Sequence, residues 1–224
     1  MAAEPQVAKP AYDLIESYKP LRVEGWNILV HQQLFEPQNS ILRDRMLKLL
    51  GDHLFRISVV VPSSALAKLR QVSIWVELAH PKHPCMCYHP GAEWLLHNGM
   101  NPAKAKCVEL SNCENFLTWT EKQPWMVLHE LAHAYHDQFL SGGFENPQVL
   151  AAFEGAKQEK LYESILRNNG SKEKAYALTN QQEYFAEQSE ALFGANDFYP
   201  FVSAELLEYD PRAHKVLTEM WGIK

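Results

Sequence analysis

Leu128-His129-Glu130-Leu131-Ala132-His133-Ala134-Tyr135-His136-Asp137 is the stretch on which the reading of this chain turns. Leu128, Leu131, Ala132, Tyr135 and Phe139 recur with helical period and form an apolar stripe. The opposite side carries His129, Glu130, His133, His136 and Asp137, where an ordinary solvated face would favour Lys, Glu or Gln. Two histidines four apart on a helix point the same way, and the glutamate beside the first reaches whatever they share. That is the H-E-x-x-H arrangement of metal-dependent hydrolysis, for which zinc is the usual ion. Five residues also match by chance, but the helical setting and the Gly142-Gly143 stop weigh against chance here.

Outward from this helix, which opens near Pro124 and runs to about Leu140, the chain divides in two. After it, Asn146-Pro147 predicts a helix start, with the helix reaching about Arg167 and Gly170 as its stop. Thr179 and Gln182 have capping-box spacing for a helix ending before Gly194, and a last helix spans about Ala204 to Trp221 with a break at Pro211. Before it, strands are predicted at 21–30, 55–61 and 72–78, with short strands at 93–97, 106–110 and 115–119. Helices are predicted at 11–18, 39–50 (stopped by Gly51) and 63–69, and a loop at 79–90 where Pro81, Pro84 and Pro90 interrupt any period. Strands first and helices later predict an α+β domain: a small mixed sheet followed by a mostly helical C-terminal half. The expected organisation is a loose arm over 1–10 and one domain over 11–224, its sheet-containing lobe ending at 123 and its helical lobe starting at 124.

Composition narrows the classes. At 224 residues and 46% hydrophobic, the chain can build its core without a metal or disulfide. A net charge of −6 argues against a general nucleic-acid binder, whose footprint is basic. No apolar run reaches the length of a membrane span. The arm lacks the apolar core of a signal peptide, which leaves a cytoplasmic protein and a trimmed secreted one both open. Cys85-Met86-Cys87 with His89 has the look of a metal knuckle but lacks the second close pair. Free thiols are the plain reading of Cys85, Cys87, Cys107 and Cys113, with disulfides or a second metal site as alternatives.

A catalytic zinc takes three protein ligands and keeps one position open. His129 and His133 supply two. Metzincin spacing would require a glycine at 136 and a histidine at 139, where the chain has His136 and Phe139. His136 is read instead as a pocket wall or a support behind the ligands, as is Asp137. Glu183, Glu187 and Glu190 share one face of the later helix at i, i+4 and i+7, flanked by Tyr184, Phe185, Ala191 and Leu192. A solvated acidic face is the plain alternative, but a helix packed this way needs a reason to aim carboxylates inward, and a cation supplies one. Glu183 is the preferred third ligand, with Glu187 placed to accept from the far nitrogen of His129 or His133.

The two blocks together, His129-Glu130-Leu131-Ala132-His133 and Tyr176-Ala177-Leu178-Thr179-Asn180-Gln181-Gln182-Glu183-Tyr184-Phe185-Ala186-Glu187, resemble the catalytic domain of the anthrax lethal factor family, a clan of zincins that also holds the bacterial Pro-Pro endopeptidases. There a tyrosine precedes the glutamate ligand by seven residues, and the ligand opens a Glu-aromatic-Phe-Ala-Glu run, the places taken here by Tyr176 and Glu183. The resemblance spans about residues 105–195 and is specific at the two blocks. It implies a zincin-like fold and one zinc per chain on His129, His133 and Glu183. It further implies Glu130 as general base, Tyr176 as donor to the oxyanion and Glu187 as support. The implied activity is that of a zinc metalloendopeptidase acting on a peptide or protein. Two alternatives stand beside it: a peptide-holding or regulatory module without proteolysis, and a metal-dependent amide or ester hydrolase. Iron or cobalt would suit the same ligands. A substrate strand is expected at 106–110 or 115–119, with Trp119, Trp125 and His136 either lining subsites or packing in the core and rim.

Overall fold

The computed structural model describes residues 12–80 and 83–223, so the arm over 1–10 lies outside the described residues. The chain enters through a 3-10 turn, Ile15–Ser17, in place of the helix expected over 11–18. The single strand expected over 21–30 is a hairpin, β1 (Tyr18–Val23) and β2 (Trp26–His31). Val23 pairs with Trp26, which leaves a two-residue turn, and both Glu24 and Gly25 have positive φ (49° and 91°). That is the primed turn whose twist matches paired strands. Pro20 is tolerated within β1 because β1 is an edge strand.

The helix expected to stop at Gly51 and the strand expected over 55–61 are one helix, α1 (Ser40–Val60). Met46, Leu50, His53, Leu54 and Ile57 form its buried face, while Phe55 and Val59 point outward. Burial of that stripe overrides both the cost of a mid-helix glycine, about 1 kcal/mol, and the β-branched composition. Next come α2 (Ser63–Leu69), β3 (Ile74–Val76), β4 (Met86–Tyr88), α3 (Ala92–His97), β5 (Val108–Leu110) and α4 (Cys113–Trp119). The strands expected at 93–97 and 115–119 are thus helices, and the proline-rich loop holds a strand.

The sheet runs β1-β2-β3-β5-β4. The inner pairs β2·β3 and β3·β5 are parallel, and the outer pairs β1·β2 and β4·β5 are antiparallel. The fold is therefore α+β, with this mixed sheet followed by a mostly helical half. Ile28, Val30, Ile74, Val76, Val108 and Leu110 are fully buried in one core with α1 and the helices that follow.

Those helices are α5 (Met126–Phe139), α6 (Pro147–Gln158), α7 (Gln181–Phe193), α8 (Ser203–Tyr209) and α9 (Pro211–Trp221). The break at Pro211 is present, with Asp210 capping α9 through Ala213 N. α6 stops well before 167, and Gly170 lies instead in the turn between β6 (Ile165–Leu166) and β7 (Lys172–Glu173). α5 packs against α1, α2, α7 and β4. Trp221 of α9 locks α5 to α7: it stacks on Tyr135 at 4.1 Å, stacks on Phe185, and donates from Nε1 to Ser189 Oγ at 3.0 Å. Among the described residues no helix is long and apolar enough to cross a membrane.

Candidate metal centre

α5 carries its stripe of Leu128, Leu131, Ala132 and Tyr135 fully or nearly fully into the core, which turns His129, Glu130 and His133 toward a cleft. Leu140 leaves the helix in an extended conformation, and Gly142 and Gly143 follow at positive φ. Gly143 also has to be glycine on space, because a Cβ there would stand 2.9 Å from the Asp137 carbonyl oxygen.

α7 faces α5. Its N-cap is Asn180 rather than the expected Thr179: the Asn180 side chain accepts from Gln182 N and Glu183 N, each at 2.9 Å. Glu183 therefore sits in the first turn, where the helix dipole favours a carboxylate. Just upstream, the 3-10 turn Tyr176–Leu178 packs against α7 and brings the half-exposed Tyr176 ring into the cleft that Glu183 also lines.

Three ligand atoms meet. His129 Nε2 stands 3.1 Å from His133 Nε2 and 3.1 Å from Glu183 Oε2, and His133 Nε2 stands 3.2 Å from Glu183 Oε2. A tetrahedral zinc with bonds of about 2.0–2.1 Å holds its ligands about 3.3–3.4 Å apart, so this triangle has the size the ion requires. Two imidazole nitrogens aimed at each other, with a carboxylate closing the ring, form a donor set that fits one divalent cation. Burial pushes Glu183 up, but the two imidazoles outweigh it and hold its carboxyl well below the usual carboxylate range. Burial pushes His129 down, yet Glu183 and Glu190 outweigh it and raise it. Both shifts follow from the close approach of the rings to the carboxylates.

The partner behind His129 is Glu190. Its Oε1 accepts from His129 Nδ1 at 2.8 Å, whereas Glu187, the residue expected there, stands at 3.9 Å. Glu190 lies two turns beyond Glu183, which is far enough along α7 to reach behind the ring. This bond fixes the proton on Nδ1 and leaves Nε2 to face the shared point. The far nitrogen of His133 is buried without a partner. Burial, then the Glu190 charge, pushes Glu187 up; burial pushes Glu190 up as well, against the pull of His129.

Glu130 is anchored by a residue absent from the sequence expectations. Tyr88 N, in β4, donates to Glu130 Oε2 at 2.7 Å. The cleft, about 360 Å³, is lined by β4, Trp119, Gln123, Met126, Phe144, Tyr176, Gln182 and the ionisable groups above. Trp119 is on its wall; Trp125 and His136 are not. Trp125 is packed against Gly194. His136 is fully buried between Phe144 and Phe185 with neither ring nitrogen bonded, and burial lowers it to about 4, so it is a neutral packing residue. Asp137 touches no ligand; it accepts from Tyr88 Oη and Lys106 Nζ.

All four cysteines are free. Cys87 gathers with His89 and Glu109 in a second cluster of potential ligands. There His89 Nε2 lies 2.5 Å from Glu109 Oε2, and Lys104 Nζ bridges Glu109 and Glu77 at 2.5 and 2.6 Å.

No family model matches the chain, and no curated protein or solved structure does.

Proposed function

We propose that the chain is a zinc-dependent metallopeptidase with a zincin-like active centre, similar to that of the lethal factor and Pro-Pro endopeptidase family. The convergence of His129 Nε2, His133 Nε2 and Glu183 Oε2 within 3.2 Å of one another carries this reading, with Glu130 in the same cleft. His129, His133 and Glu183 would hold the ion, which when bound lowers the pKa of a water from 15.7 toward about 7 and polarises a carbonyl. Glu130 takes the proton as the water attacks and delivers it to the leaving nitrogen. The Tyr176 hydroxyl donates to the oxygen on which charge develops, a kind of contact worth about 3 kcal/mol in the transition state. Glu190 keeps the His129 tautomer fixed.

Neither segment expected to receive a substrate strand, 106–110 or 115–119, offers a free edge. β5 lies inside the sheet and 115–119 is helical, whereas β4 is the edge strand beside the cleft. Ser111 N donates to Cys85 O and His89 N to Cys107 O, so those residues face β5. By alternation, the backbone groups of Met86 and the carbonyl of Tyr88 face the open edge, where an extended peptide adds, while the Tyr88 N–H is taken by Glu130.

The test is a peptide-library digest of metal-loaded protein with and without chelator. Chelator-sensitive cleavage is expected, and Glu130→Gln should keep the metal and lose most turnover. Binding without cleavage would favour a peptide-holding module. Cleavage only of small amides or esters would favour a different hydrolase.

A further inference from the structure

We infer that Tyr88 and Asp137 are positioning residues for Glu130: they form a strut along α5 that anchors one oxygen of the base and leaves the other to work in the cleft. The inference rests on the reading of Glu130 as the base.

Glu130 and Asp137 are seven residues apart on α5, two turns and about 10.5 Å along the axis, on the same face. Tyr88 spans them. Its backbone N–H donates to Glu130 Oε2 at 2.7 Å, and its hydroxyl donates to Asp137 Oδ2 at 2.6 Å. The residue is buried, and the Phe144 ring packs edge-on against it. Burial, then the Asp137 carboxylate, pushes the hydroxyl upward, so it stays a donor.

The far end of the strut is itself held. Lys106 Nζ donates to the same Asp137 oxygen at 2.6 Å. Lys106 is fixed by its backbone: its N–H donates to His89 O, its carbonyl accepts from Gln138 Nε2, and its φ is +61°. Gly143 closes over the Asp137 carbonyl. The edge strand is therefore pinned to α5 at both ends of one tyrosine. Among the described residues none donates to Glu130 Oε1, so that oxygen is the one left facing the cleft.

A strut that only held β4 in place would lower activity whatever stood at position 130. A strut that positions the base acts through Glu130 alone. The experiment compares Tyr88→Phe and Asp137→Asn in the wild-type and Glu130→Gln backgrounds, with metal content, kcat and KM measured for each. The amide NMR signal of Tyr88 is followed in metal-free protein. Each single variant should lower kcat about tenfold with KM and metal unchanged, the size of one lost hydrogen bond. Neither should cost anything further on top of Glu130→Gln. The Tyr88 amide should shift in Glu130→Gln and in both strut variants. Equal losses in the two backgrounds would overturn the inference, and so would unchanged kcat and an unmoved amide. If wild-type protein hydrolyses nothing, the base reading of Glu130 falls, and the amide signal alone decides the strut.

Discussion

Three clusters of potential metal ligands occur among the described residues; His129 with Glu187 and Glu190 shares its histidine with the triad of His129, His133 and Glu183, and that triad and the Cys87 cluster are chemically unalike. In the first, His129, His133 and Glu183 meet in a near-equilateral triangle of 3.1–3.2 Å, and two imidazole nitrogens face each other. In the second, the ligand atoms of Cys87, His89 and Glu109 lie within 4.8 Å of one another, but Glu109 is already served by the His89 ring and the Lys104 ammonium. The Lys104 ammonium also serves Glu77, which accepts in turn from the Tyr18 hydroxyl. The second cluster carries its own cation on a side chain; in the first, among the described residues, Glu183 pairs with no Lys or Arg and faces the two imidazoles alone. Proximity of ligand types is thus a poor guide by itself. What separates a metal centre from an ion-pair network is whether donors and acceptors already satisfy one another.

The comparison breaks most visibly by removing a ligand. Glu183→Ala should take bound zinc from one per chain to none at micromolar metal and abolish hydrolysis, read by metal analysis after dialysis. Cys87→Ser should leave the count at one. A chain that keeps its zinc without Glu183 would dissolve the distinction.

The second cluster should respond in stability instead. Lys104→Met leaves Glu109 and Glu77 without their cation, a loss of about 3–5 kcal/mol for a broken buried pair. Urea denaturation should show it, with metal content unchanged.

Acid sharpens the same contrast. Burial pushes Glu109 up, but His89 and Lys104 outweigh it and hold the carboxyl down at about 2, below its ordinary 4.5. A depressed carboxylate contributes fully above the unfolded value and loses its contribution as pH falls through the folded one. Between pH 4.5 and 2 the metal-free protein should therefore lose about 3 kcal/mol from this group, and Glu109→Gln should flatten that part of the curve.

The smallest effect concerns the support of the candidate metal centre. Glu190→Gln should weaken zinc binding about 10–100-fold, as loss of a carboxylate behind a ligating histidine does. Glu187→Gln should do less, because Glu187 stands at 3.9 Å against 2.8 Å for Glu190. A competition titration with a chromogenic chelator ranks the two.

Sequence made the helical half legible because punctuation and period agree there. Asn146-Pro147, Pro211 and the Gly142-Gly143 stop all fall where elements begin or end. The period of α5 aims His129, Glu130 and His133 at one cleft, and Glu183 and Tyr176 join them there. The front half misled for a physical reason. Phe55, Val59 and Val60 look like a strand by composition, yet they are the outer side of α1, whose inner stripe decides its conformation. β4 is three residues among prolines and pairs only through β5, far along the chain, so no local signal marks it. Without β4, neither the Tyr88 anchor of Glu130 nor the role of Asp137 was readable. Glu190 was visible on the right face of its helix; only the packing of α7 on α5 reveals that it, and not Glu187, reaches His129.

X-ray absorption at the zinc edge of stoichiometrically loaded protein tests the central claim most directly. Zinc held by His129, His133 and Glu183 should show nitrogen and oxygen neighbours alone at about 2.0–2.2 Å, with the imidazole outer-shell pattern lost in part by His133→Ala. A sulfur scatterer at about 2.3 Å would place the metal on Cys87 and contradict it.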